Sequence, residues 1–149
     1  LANNEIKVFI TGYAVFAACF TLIREIIKDI EDMKGDSVVG CKTLPIMIGS
    51  APTKWLVVVL SGFLCCLLLF ALYSWYETVN YLSQGILKTG FYIVFSYLLL
   101  FITLPVGYLT YLLVKADEKE SFTNCSKIAK LIMAAGIFSI LVFYCSQFI

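Results

Sequence analysis

Apolar residues run in four long stretches, and charge collects between them. Residues 8–23 are sixteen uncharged positions, and residues 55–76, 91–114 and 131–149 add 22, 24 and 19 more. At about 1.5 Å of rise per residue, stretches of this size suit a hydrocarbon layer about 30 Å thick. The first is short, but Ile26, Ile27 and Ile30 continue its apolar face with helical spacing. The pattern predicts an all-α integral membrane bundle of four transmembrane helices. It shows no internal repeat, soluble domain or low-complexity linker.

Local signals refine the four elements. Thr53 is placed to cap the start of the second helix, after Ser50-Ala51-Pro52. Tyr73, Trp75 and Tyr76 close that helix as an interfacial aromatic belt. Pro105, midway along the third, predicts a kink, with Gly107 adding freedom beside it.

Composition agrees. Hydrophobic residues make up 61% of the 149, with a mean hydropathy of +0.93, against about 45–50% apolar in soluble domains. The absence of histidine excludes imidazole metal sites, His-ligated haem and imidazole-dependent triads. The six cysteines show no C-x-x-C spacing, so neither a disulfide framework nor a zinc site is expected. No basic stripe with interleaved aromatics points to nucleic acid. The chain begins at Leu1 in a polar turn, with no signal peptide, so it is expected to be the C-terminal part of a longer protein.

Charge is concentrated after the first span. Five acids (Glu25, Asp29, Glu31, Asp32, Asp36) and four bases (Arg24, Lys28, Lys34, Lys42) fall within nineteen residues after the first apolar stretch. A solvated helix end laced with Glu–Lys pairs is the ordinary reading of such a block. The spacing argues for more. On a helix Asp29, Asp32 and Asp36 share one face, and carboxylates so placed repel one another unless a cation joins them. Mg²⁺ is bound in this way, by a few carboxylates shared with phosphate oxygens. Gly35 and Gly40 bracket Asp36 and are expected to let the chain turn, bringing on Lys42 and Thr43. Bases beside a carboxylate-held metal are what a diphosphate needs.

Sidedness follows from the bases. Residues 24–54 carry five and residues 115–130 carry four, against only Lys7 and Lys88 on the other side. The positive-inside rule puts the acidic block and the third-to-fourth connection in the cytoplasm.

Residues 24–49, REIIKDIEDMKGDSVVGCKTLPIMIG, resemble the second aspartate-rich motif of the UbiA-type intramembrane prenyltransferases. The D-x-x-x-D element is met by Asp32 and Asp36, and the downstream pattern by Gly40-Cys41-Lys42-Thr43-Leu44-Pro45. The resemblance implies that residues 1–149 are the last four helices of a nine-helix fold. The first motif of that family, N-D-x-x-D-x-x-x-D, is absent from this sequence. It further implies Mg²⁺-dependent transfer of an isoprenoid from a polyprenyl diphosphate donor to a lipophilic acceptor, through an allylic cation. Asp32, Asp36 and Lys28 would be catalytic, with Asp29 joining Asp32 and Asp36 as metal ligands. Arg24, Lys28 and Lys42 would contact the diphosphate.

The wording is nearest to the geranylgeranylglycerol-phosphate geranylgeranyltransferase branch, with an aromatic quinone precursor as the alternative acceptor. Expected partners are donor, acceptor, membrane lipids and the missing N-terminal half, without which the fragment is expected to be inactive. Expected location is the cell (inner) membrane, with the active-site loops in the cytoplasm. A non-enzymatic membrane subunit or transporter component is the reading from another class. Transport favours carboxylates within the bilayer, and residues 55–76, 91–114 and 131–149 contain none.

Overall fold

The structure, a computed structural model, describes residues 2–82 and 87–146, and all of its regular structure is helical. Six α-helices follow in order: α1 (Ala2–Val39), α2 (Leu44–Ile48), α3 (Ser50–Leu82), α4 (Leu87–Leu98), α5 (Leu104–Lys115) and α6 (Lys119–Ser146). Four helical segments are long and apolar enough to cross a membrane: Ile10–Val39, Ser50–Glu77, Tyr92–Lys115 and Lys119–Cys145.

The first span does not stop where its apolar run stops. α1 continues for 38 residues, about 57 Å, carrying the whole acidic block on one unbroken helix. Gly35 lies inside it and makes no turn. Gly40, at φ +79°, makes the turn alone. There the Cys41 N–H donates to Asp36 O at 3.0 Å and the Gly40 N–H to Ser37 O at 3.4 Å. This paired closure needs a left-handed residue just past the helix, which glycine supplies without a Cβ clash.

Three other expectations shift. Thr53 is no cap, since α3 already begins at Ser50. Its hydroxyl instead donates back to Gly49 O at 2.7 Å, as serines and threonines inside helices do. α6 starts at Lys119, twelve residues before its apolar stretch; positions 147–149 of that stretch lie outside the described residues. The third span is interrupted as Pro105 predicts, in the form of a π-helical segment, Leu99–Thr103, joining α4 to α5. Leu104 N–H reaches Leu99 O, and the Thr103 hydroxyl donates to Leu98 O at 3.2 Å. The wider turn and the hydroxyl bond the Leu99 and Leu98 carbonyls just before a proline that has no N–H to offer.

α1 packs on α3 and α6, α5 on the same two helices, and α4 on α6. The buried seam joins Phe20, Ile23 and Ile27 of α1 to Val57 of α3, Leu109 of α5 and Ile132 of α6. Hydrocarbon around a span gives little hydrophobic drive, so close packing and buried polar pairs hold spans together. Both occur here. Gly107 lies against the Cys65 sulfur, and Gly136 against the Phe16 ring. The Thr110 hydroxyl donates to Ser61 Oγ at 3.1 Å, and the Tyr97 hydroxyl to Ala135 O at 2.8 Å.

Candidate functional site

Helical geometry sorts the acidic block into two faces. At about 100° per residue, Asp29, Asp32 and Asp36 fall within an arc of about 60°. Phe20, Ile23, Ile26, Ile27 and Ile30 form the buried face, centred about 150° round the helix from that arc. The three aspartates therefore point away from the helices that α1 packs against. Among the described residues none of them is in an ion pair or accepts a side-chain hydrogen bond.

The electrostatics at Asp29 are unfavourable as they stand. Partial burial opposes its charge most, the charges of Asp36, Glu25 and Asp32 add to that, and Lys28 offsets part of it. The acids also sit toward the C-terminal end of α1, where the helix dipole is negative, and the last turn holds no basic residue. A bound cation would relieve both strains.

Bases stand nearby without partners. Lys28 and Lys42 are exposed and, among the described residues, unpaired. Arg24 is half-buried and already ion-paired with its neighbour Glu25. Past Gly40 the chain turns into α2, which lies against α1 and α3. Thr43, between Lys42 and this helix, holds the one buried side-chain oxygen without a hydrogen-bond partner among the described residues. A buried hydroxyl left unpaired costs about 1–3 kcal/mol. The sequence signal for it was only its place after Lys42.

The opposite side of α1 holds polar contacts that the sequence did not announce. The Thr123 hydroxyl of α6 donates to Glu31 Oε1 at 2.9 Å. Lys54, near the start of α3, donates to Ala116 O at 2.9 Å and to Asp117 Oδ1 at 2.8 Å. It thereby joins α3 to the α5–α6 turn. A cavity of about 470 Å³ lies between these contacts, edged by Met33, Lys34, Ser50 and Phe122. The α1–α3 connection and the α5–α6 turn thus share one end of the bundle, as the distribution of bases predicts.

Metal fit rests on the donor chemistry. Among the described residues no three Asp, Glu, Cys or His side chains come together as a ready-made cage. The hard carboxylates are strung, half-buried, along one helix face. That suits Mg²⁺, which keeps open positions and takes one or two carboxylates together with phosphate oxygens. It does not suit an ion that needs an all-protein shell.

Comparison with known proteins gives the arrangement a family. The chain is 35% identical over 131 residues to a digeranylgeranylglyceryl phosphate synthase of Methanosphaera stadtmanae, covering 88% of this chain and 42% of that protein. Proteins of the same name are similar over shorter stretches. That of Natronomonas pharaonis is 61% identical over 33 residues, covering 22% of this chain and 12% of the relative. That of Methanosarcina mazei is 48% identical over 54 residues, covering 36% and 18%. The chain thus spans less than half the length of the curated relatives it matches. No solved structure matches it. The model describing the UbiA prenyltransferase family matches residues 1–131, and the chain belongs to that family.

Proposed function

We propose that this chain supplies one wall of the active site of a Mg²⁺-dependent prenyltransferase, at the cytoplasmic face of the cell membrane. The donor is a polyprenyl diphosphate. The acceptor is a lipophilic glyceryl phosphate, the class that the relatives' name supports. The observation that carries the reading is the face of three unpaired carboxylates on α1, turned away from its own bundle and followed by Lys42.

Asp32 and Asp36 are the metal ligands, and Asp29 is the third carboxylate within reach. These carboxylates would hold Mg²⁺, which would supply charge neutralisation for the diphosphate. Lys28 and Lys42 bind diphosphate oxygens as point charges, and Arg24 adds positive potential behind its pair with Glu25. In the transfer, the bond between the allylic carbon and the diphosphate oxygen breaks, and its electron pair stays on oxygen. An acceptor hydroxyl oxygen then bonds to that carbon and loses its proton. The lysines contribute most as charge builds on the leaving oxygens, where fixed donors lower a barrier. The remaining family length faces the aspartates and completes the site.

The test uses the enzyme at full family length. Asp32→Asn and Asp36→Asn preserve size and remove a charged ligand. Each is expected to slow initial rates by about 10²–10³-fold, the scale of one lost electrostatic contact at a reacting centre. Each should also raise the Mg²⁺ concentration at half-maximal rate. Wild-type rates and Mg²⁺ dependence in both variants would overturn the assignment.

A further inference from the structure

Glu31 belongs by sequence to the acidic block, beside Asp32, yet it sits elsewhere. It lies about 100–160° round α1 from the three aspartates. Its carboxylate turns back toward α6, where it accepts the Thr123 hydroxyl at 2.9 Å, across 92 residues of sequence. That hydroxyl lies 3.1 Å from its second acceptor, Lys119 O, and has one proton to give. Glu31 Oε1 is the nearer of the two acceptors.

The surroundings make this contact matter. At this end of the bundle the 470 Å³ cavity lies between α1, α3 and the α5–α6 turn, while α2 packs against α1 and α3. The last buried residue of the α1 seam is Ile30. From there to Val39 the helix carries Asp32 and Asp36 with no apolar side chain in the core to fix its rotation. Lys54 ties α3 to the α5–α6 turn and does not touch α1. The Glu31–Thr123 hydrogen bond is the side-chain link from this part of α1 to another helix among the described residues.

We propose that Glu31 and Thr123 are positioning residues: their hydrogen bond sets the rotation of α1 beyond Ile30, and so the direction in which Asp32 and Asp36 face. The kinetic part of this inference rests on the function proposed above; the structural part does not. Glu31 serves as a hydrogen-bond acceptor, so its oxygen matters and its charge matters less. For a metal ligand the reverse holds.

The experiment compares Glu31→Ala, Glu31→Gln, Thr123→Val, Thr123→Ser and the Glu31→Ala/Thr123→Val double variant in the full-length protein. Donor and Mg²⁺ concentrations at half-maximal rate are expected to rise about 10-fold in Glu31→Ala and Thr123→Val, with kcat changing less. The double variant should be no worse than either single one, since both remove the same bond. Glu31→Gln keeps an acceptor oxygen, Thr123→Ser keeps the hydroxyl, and both should retain wild-type kinetics.

Spin labels carried on unnatural amino acids at positions 37 and 127 give a readout free of catalysis. The distance distribution between α1 and α6 should broaden in Glu31→Ala and Thr123→Val and stay narrow in Glu31→Gln. A Glu31→Gln variant as impaired as Glu31→Ala would overturn the proposal, because charge would then be what counts. So would a Thr123→Val variant unchanged in both kinetics and distances. The expected distance changes in a protein without prenyl transfer would support the positioning role and sink the activity reading alone.

Discussion

Removing the Lys54 ammonium should cost more than removing the carboxylate it touches. The Lys54 side chain is 13% exposed and that of Asp117 is 83% exposed, so water screens the acid's share of the pair. Asp117→Asn should therefore lower stability by less than about 1 kcal/mol. Lys54→Met also strands the Ala116 carbonyl and should cost about 2 kcal/mol. Thermal unfolding in detergent separates the two, and equal losses would mean that the ion pair carries the contact. Residues of this kind were not legible beforehand. In the sequence Lys54 counts only toward sidedness, because its partners lie 62 and 63 positions away. Asp29, Asp32 and Asp36 were legible as a face, since helical spacing alone places them together. The same spacing sets Glu31 on another face, but its partner was not legible, because Thr123 belongs to α6.

At the scale of the elements, two glycines in one motif behave oppositely. Gly35 is helical with open space where a Cβ would go, so Gly35→Ala should stabilise α1 by about 0.8–1.0 kcal/mol. Gly40 also has open space, but at φ +79° any Cβ is strained, and Gly40→Ala should destabilise by about 1–2 kcal/mol. Opposite shifts in unfolding midpoint are the expected result, and shifts of one sign would contradict this helix end. The sequence showed two glycines around an aspartate and no means of telling which one ends the helix. That choice follows from how far α1 is held beyond the apolar run. The existence of four spans was legible, because apolar length alone sets it. Their ends were not, since charged residues extend α1 and α6 past the hydrocarbon without breaking the helix. Pro105 pointed to the irregular segment, while its π form depended on which carbonyls Thr103 and Leu104 reach.

For the molecule as a whole, the Glu31–Thr123 and Lys54–Asp117 contacts put two chain reversals at one end of the bundle. Cysteines introduced at Ser37 and Ser121 should react with a membrane-impermeant reagent from one side, and a cysteine at Glu77 from the other. Labelling of positions 37 and 77 from the same side would exclude this topology. The length of α1 has a mechanical consequence. From Ile30, the last buried residue of its seam, to Asp36 is about 9 Å of helix, so a 10° tilt about Ile30 would sweep the carboxylate through about 1.6 Å. A fulcrum at Glu31 leaves an arm of about 7.5 Å and a sweep of about 1.3 Å. Mg²⁺–oxygen bonds of about 2.0–2.1 Å in near-octahedral geometry tolerate little displacement. The long helix thus behaves as a lever pinned close to its working tip, which insulates the carboxylates from the swaying of the membrane-embedded shaft.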